Sequence, residues 1–307
     1  MNITWKLTTA VLATCLLATS CADDPEQAQT GTDDSSVKAQ KVDAELRNAL
    51  PADIRDKGTL VSVDGGSFPP YTISSAGDAR KIEGASVDMG KAIGEILGVK
   101  VREVPVDGLP GVLTGIQAGR YDMAMGPIGD FADREVDHDF VDWVQEFVVF
   151  AVPKGNPKNI ESVETACGLR IAVQAGGSAE AVIKAQSTKC TEAGDKAIQV
   201  QSFKDQPTSI LAVSSGRSDA FFSSRAPLTY FAEKSNGKLQ LAGTEAKNGF
   251  DDLFQGAMVP KDSPLRDVLL KAFQQLFENG TYEAVMTKWG LEKNMLDAPD
   301  VNLGKNS

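Results

Sequence analysis

From Thr59 onward the chain alternates short apolar runs with apolar residues at helical spacing. Thr59-Leu60-Val61-Ser62-Val63, after Gly58, reads as a buried strand. It runs into Asp64-Gly65-Gly66-Ser67-Phe68-Pro69-Pro70-Tyr71, a turn that carries an aromatic pair. A polar, hairpin-like stretch follows, and then Met89, Ala92, Ile93, Ile96 and Leu97 mark a helix closed by Gly98. Residues 99–104 predict a second strand. Leu109, Val112, Leu113 and Ile116 predict another helix, ended by Gly119, and residues 122–125 a third strand. Only a short amphipathic stretch (Val42, Leu46, Leu50) and Pro51 precede this series. The order strand–helix–strand–helix–strand predicts a parallel sheet covered by helices.

A second unit opens with the continuous apolar run 147–152. Residues 169–173 predict a strand, Gly176-Gly177-Ser178 a turn, 179–186 a helix, 207–215 another helix stopped by Gly216-Arg217-Ser218, and 219–222 a strand. Two helices follow. Ser263 is expected to cap the first, with Pro264 at its first position and Leu265, Val268, Leu269, Ala272 and Leu276 on its apolar face. Thr281 is expected to cap the second, with Tyr282, Val285, Met286 and Trp289 on one face and Gly290 after it. The class is therefore α/β, in two comparable halves, which suits a length of 307 residues.

The beginning of the chain is of another kind. Residues 1–20 hold Lys6, no acid and the apolar run 7–18, too short to span a hydrocarbon core of about 30 Å. This reads as a secretory signal. Its end, Leu17-Ala18-Thr19-Ser20-Cys21, resembles the lipobox of bacterial lipoproteins, in which the cysteine is acylated and becomes the mature N-terminus. Residues 21–40, rich in Asp, Gln, Thr, Gly and Ser, are expected to be a disordered tether reaching roughly 25 Å from the membrane. Cys15 leaves with the signal, and Cys167 and Cys190 remain in an oxidising setting, where they are expected to pair.

Charge narrows the function. The formal net charge is -11, and no basic stripe stands out, so nucleic acid is not an expected partner. A single histidine, His138, argues against a histidine-based metal site, and no metal or cofactor is expected.

Several ordered motifs then carry a family resemblance: Phe68-Pro69-Pro70-Tyr71, Glu83-Gly84-Ala85-Ser86-Val87-Asp88, Gln117-Ala118-Gly119-Arg120-Tyr121-Asp122, Asp133-Arg134-Glu135, Cys167-Gly168-Leu169-Arg170-Ile171-Ala172-Val173, Ser215-Gly216-Arg217-Ser218-Asp219-Ala220 and Lys288-Trp289-Gly290. In this order they resemble the family 3 extracellular solute-binding proteins, the amino-acid-type receptors of ABC importers, over about residues 50–293. The resemblance implies a two-lobe, periplasmic-binding-protein-like (type II) fold, each lobe a mainly parallel sheet flanked by helices. Lobe 1 would be 57–147 plus 252–297 and lobe 2 148–251, joined by two crossover strands and closing on ligand by hinge motion. It further implies a monomeric receptor for a small solute with a carboxylate, an ABC permease as partner, and contact with the membrane through the lipid alone.

By the same resemblance Arg134 would hold the ligand carboxylate, for which a planar guanidinium offers two parallel hydrogen bonds. Phe68 would lie against the ligand, or simply pack in the core. Gly177 and Ser178 would offer donors at a helix N-terminus, although Ser178 also reads as an ordinary N-cap. Gly126 and Gly129 stand where such receptors usually carry hydroxyl residues. Ser224 stands where they usually carry an aspartate for the ligand's ammonium. Either Asp64 or Asp88 takes that role, or the ligand has no standard ammonium, and Arg225 beside Ser224 would favour a second anionic group. The competing functions are an extracytoplasmic sensor and an enzyme resembling cyclohexadienyl dehydratases, which would use cleft carboxylates for acid–base work.

Overall fold

A computed structural model describes residues 37–75 and 78–306. The expected signal and Cys21 lie outside the described residues, as does most of the expected tether. The body starts earlier than the pattern suggested. Val37 packs against the core, and the Gln40 backbone N–H donates to Glu95 at 2.7 Å. Helices α1 (Ala44–Ala49) and α2 (Ala52–Lys57) add Leu46, Leu50 and Ile54 to the same core.

The first lobe then follows the predicted rhythm. β1 (Thr59–Asp64) is followed by the hairpin β2 (Ile73–Ser75) and β3 (Asp78–Glu83). Next come α3 (Ala85–Leu97), β4 (Lys100–Pro105), α4 (Gly108–Gln117) and β5 (Ala124–Gly129). β1 pairs in parallel with β4, and Ser62 bridges in parallel to Met123 just ahead of β5.

The pattern did not reveal β6 (His138–Glu146), which crosses this lobe and leads straight into β7 (Val148–Pro153) of the second. The second lobe continues with β8 (Arg170–Gln174), α5 (Ser178–Glu192), β9 (Gln199–Phe203), α6 (Gln206–Ser214), β10 (Ala220–Ser224), α7 (Arg225–Lys234) and β11 (Leu239–Ala242). Its sheet order is β11-β7-β10-β8-β9. The continuous apolar run of β7 now has its reason. Val148, Phe150 and Val152 face the α5 side and Val149 and Ala151 the opposite side, both covered, so neither face tolerates polar residues.

The chain returns to the first lobe through β12 (Leu253–Pro260), then α8 (Leu265–Glu278), α9 (Thr281–Lys288) and β13 (Asp300–Val301). β12 lies antiparallel between β5 and β6, giving the order β13-β6-β12-β5. The second-lobe sheet is therefore mixed, whereas the first lobe is not the mainly parallel sheet expected. Its parallel pair β1-β4 stands beside a wholly antiparallel β13-β6-β12-β5, joined by the Ser62–Met123 bridge, because the crossing strands pair only with antiparallel neighbours. The helix ends fall one residue from expectation. Pro264 and Gly280 directly precede α8 and α9, so Thr281 is the first residue of its helix rather than its cap, while the Ser263 hydroxyl accepts the Leu265 N–H at 3.3 Å as expected of a cap.

The first lobe also extends beyond residue 297. β13 pairs with β6, and the following backbone reaches two buried carboxylates. Leu303 N–H donates to Asp142 Oδ2 at 3.0 Å and Gly304 N–H to Asp130 Oδ2 at 2.7 Å. A Cβ on Gly304 would collide with the Asp130 carbonyl, so the close approach depends on glycine. The Asn302 side chain, meanwhile, donates to Asp139 at 3.0 Å and accepts the Phe140 N–H at 2.8 Å.

Candidate functional site

The parallel strands β1, β8 and β10 point their C-terminal ends at one cleft between the lobes, where helix N-termini and loop backbone face a ligand in α/β folds. The cleft encloses about 850 Å³, counting solvent at its mouth. The first lobe lines it with Asp64, Gly65, Gly66, Phe68 and Thr72 after β1 and with Gly126–Gly129 of β5. The second lobe brings Gln174, Gly177, Ser178, Gln206, Ser223 and Ser224. The crossings add Val148, Leu253 and Gln255. Arg134, Phe68, Ser178, Gly177, Gly126, Gly129, Ser224 and Asp64, named from the sequence as ligand contacts, all line this one cleft, whereas the alternatives Asp88 and Arg225 do not.

Arg134 opens a short 3-10 turn and spans the gap. Its Nη1 donates to the Gly129 carbonyl at 2.8 Å, its Nη2 to the Gly176 carbonyl of the other lobe at 3.5 Å, and its guanidinium lies 5.0 Å over the Phe131 ring. Burial pushes its pKa down, and Asp133 and Asp130 act against that shift. The lone His138, 5% exposed, sits beneath this turn with Nδ1 3.2 Å from the Arg134 carbonyl oxygen and Nε2 3.2 Å from that of Leu113.

Asp64 is the other charged residue of the lining. It is 8% exposed and accepts the Gly66 N–H at 2.9 Å. Burial raises its pKa to about 6, against the Gly66 N–H and the Thr72 hydroxyl, which lower it. Asp88 is not part of the cleft. It holds Trp289 Nε1 at 2.8 Å and Lys288 at 3.0 Å, so it ties α3 to the end of α9. Arg225 likewise faces a separate cavity behind the crossing, with Phe147 and Trp289, and so supplies no second positive charge to the cleft.

Gly126 has φ 80°, a left-handed conformation open to glycine, and its carbonyl accepts from Ser86. Ser178 is the first residue of α5, and Gly177 holds the cap position without any side-chain cap bond. The capping explanation of Ser178 therefore falls away, while its place in the cleft lining stands.

The sequence reading missed the neutral wall of the cleft. Gln206 donates to Gln174 at 2.8 Å and exchanges hydrogen bonds with Ser223 at 2.9 and 3.1 Å. Gln255, 6% exposed, donates to Ser224 at 3.4 Å, and its carbonyl oxygen is buried without a protein partner. Scattered neutral side chains carry no spacing signature. The one available signal was position: Gln174 ends a strand before the Gly-Gly turn, and Gln206 follows the Asp205 cap of α6.

Known proteins share this architecture. The arginine-binding protein ArgT of Corynebacterium glutamicum is 26% identical over 300 residues, covering 96% of this chain and 94% of its own length. The solved structure of an ancestral arginine-binding protein bound to arginine superposes with a TM-score of 0.65 at 27% identity, covering 76% of this chain and 98% of that one. An ancestral amino acid-binding protein described as a precursor of cyclohexadienyl dehydratase, AncCDT-1, shares the fold with a TM-score of 0.64 at 24% identity, covering 77% of this chain and 97% of that one. The family model described as bacterial extracellular solute-binding proteins, family 3, matches residues 60–292, and the chain belongs to that family.

Proposed function

We propose that this chain is an extracytoplasmic receptor that binds a small amino-acid-like solute between its lobes and passes it to an ABC importer. The observation that carries this is the charge pattern of the cleft: one arginine, one buried carboxylate and otherwise neutral lining. Such a pair suits a solute with a carboxylate at Arg134 and a cationic group at Asp64. In this reading Cys21 carries the lipid, residues beyond it form the tether, and the protein works as a monomer. The named relatives, binding proteins for arginine or other amino acids, support a receptor rather than an enzyme. A single carboxylate in the lining also gives no paired acid and base. Native mass spectrometry of the purified protein, followed by a thermal-shift screen of amino acids and related carboxylates, tests the reading. A co-purified or stabilising carboxylate supports it, and product formed from an incubated cyclohexadienyl acid would overturn it.

Two expected results follow from the charges. Above pH 6 Asp64 is ionised and attracts a cation, whereas below it the carboxyl is neutral. Affinity for a cation-bearing solute should therefore fall as pH drops through about 6, and Asp64→Asn should remove that step in calorimetric titrations. Ser224→Asp should strengthen binding of ordinary α-amino acids, because Ser224 and the Gln255 carbonyl offer an ammonium only neutral acceptors. No gain with any amino acid would place the ammonium elsewhere.

A further inference from the structure

The crossing from β6 to β7 carries a buried acid whose side chain does not line the cleft. Glu146, the last residue of β6, is 2% exposed. Its Oε1 accepts the Tyr71 hydroxyl at 2.8 Å, and its Oε2 accepts the Phe147 N–H at 3.2 Å. The nearby backbone N–H groups of Arg225 and Ala226 favour its ionised form. Those two residues begin α7, whose own cap residue, Ser224, makes no cap bond and instead lines the cleft. The Arg225 N–H is fastened to the same crossing through the Phe147 carbonyl at 2.6 Å.

The two walls of the cleft thus meet at this crossing, the first through the Glu146 carboxylate and the second through the carbonyl of Phe147, whose own N–H that carboxylate holds. On the first-lobe side, Tyr71 stacks on Phe68 with ring centroids 5.7 Å apart, and Phe68 faces the cleft. On the second-lobe side, Ser223 and Ser224 run directly into the first turn of α7, whose Arg225 N–H is bonded to the Phe147 carbonyl. A charge at this point complements the α7 N-terminus and accepts a phenol hydroxyl, two interactions that a neutral group makes more weakly.

We propose that Glu146 is a positioning residue for solute binding: its ionised carboxylate couples the Phe68–Tyr71 turn of the first lobe to the Ser224–α7 junction of the second across the interlobe crossing. The coupling deepens the receptor reading and rests on it only for the affinity readout. Burial raises Glu146 to about 7, against the Tyr71 hydroxyl and the backbone N–H groups, which lower it. The coupling is therefore present above about pH 7 and lost below it. The titratable and charged groups around the site are Tyr71, Tyr282 of α9, whose hydroxyl donates to the Trp143 carbonyl, and Arg225 of α7. Asp252 leads into β12 opposite Glu146 and is held by Gln145.

The test is amide hydrogen exchange of the full chain without solute, read at 68–72 and at 225–228 from pH 5.5 to 8.5 and corrected for intrinsic rates. In the wild type both segments should lose about tenfold protection together as pH falls through 7, the size of one charge-assisted hydrogen bond. Glu146→Gln should show the low-protection level throughout and no step. Tyr71→Phe, which keeps the acid, should move the step upward, because the ionised form loses a donor. A step that persists in Glu146→Gln, or a change confined to one segment, overturns the proposal. If Glu146→Gln does not fold, the Tyr71→Phe shift decides the matter alone, and an unmoved step overturns it. With L-arginine as probe, calorimetry should show about tenfold weaker binding by Glu146→Gln at pH 8, with the Asp64 step near pH 6 retained. If the wild type binds none of the amino acids, the receptor reading fails while the exchange result still judges the coupling.

Discussion

Arg134→Ala should abolish solute binding while leaving the protein folded. The guanidinium is the only cationic group among the residues lining the cleft, so a bound carboxylate would lose its sole charged partner. Removing one member of a desolvated, hydrogen-bonded charge pair costs roughly 2–5 kcal/mol, a loss of about 30-fold or more in affinity. The fold should hardly notice. The side chain's own contacts are one good hydrogen bond to the Gly129 carbonyl, a longer one to Gly176 and the face of Phe131. Calorimetry with the identified solute, paired with circular dichroism, checks both halves, and unchanged affinity in a folded variant would sink the assignment of Arg134.

The second large effect should fall on stability instead. The structure pairs Cys167 with Cys190 across 23 residues, tying the segment before β8 to the last turns of α5. Closing a loop of that length removes unfolded-chain entropy worth about 3 kcal/mol. α5 leans on the staple because only Ile183, Gln186 and Cys190 of its residues are buried. Replacing both cysteines by alanine should lower the melting temperature by roughly 6–12 °C. Affinity should change little, since neither cysteine lines the cleft. A melting temperature within a degree of wild type would show that the loop is restrained by other contacts.

The elements legible in the sequence are those whose instructions are local. α3 could be read from its apolar spacing and from Gly98, which takes a left-handed φ of 62° at its end. α8 could be read from a single apolar face. β6 could not, because its polar residues look like solvent-facing ones. Asp139 and Asp142 are both 0% exposed, and their partners, Lys261, Asn302 and the Leu303 N–H, arrive from more than a hundred residues away. β12 shares the difficulty, since its position between β5 and β6 is set by long-range pairing.

The site divides along the same line. Arg134, Phe68, Asp64 and Ser224 belong to short motifs or stand out by charge. Gln174, Gln206 and Gln255 become a wall only when three separate segments meet. The alternatives left open for the ammonium also narrowed through tertiary contact: Asp88 is occupied by Trp289 and Lys288, away from the cleft.

The backbone at Leu303 and Gly304 lies beyond the family-model match, which ends at residue 292. Asp142 is held well above the ordinary carboxylate range by burial and by Asp130 beside it, and Asp130 in turn supports Arg134 electrostatically. The N–H groups that settle these two acids come from residues after that match. Grafting the cleft onto another receptor's framework, or recombining lobes between relatives, would therefore have to carry residues 300–304 with it. Otherwise Arg134 would inherit a pair of buried carboxylates stripped of these backbone donors.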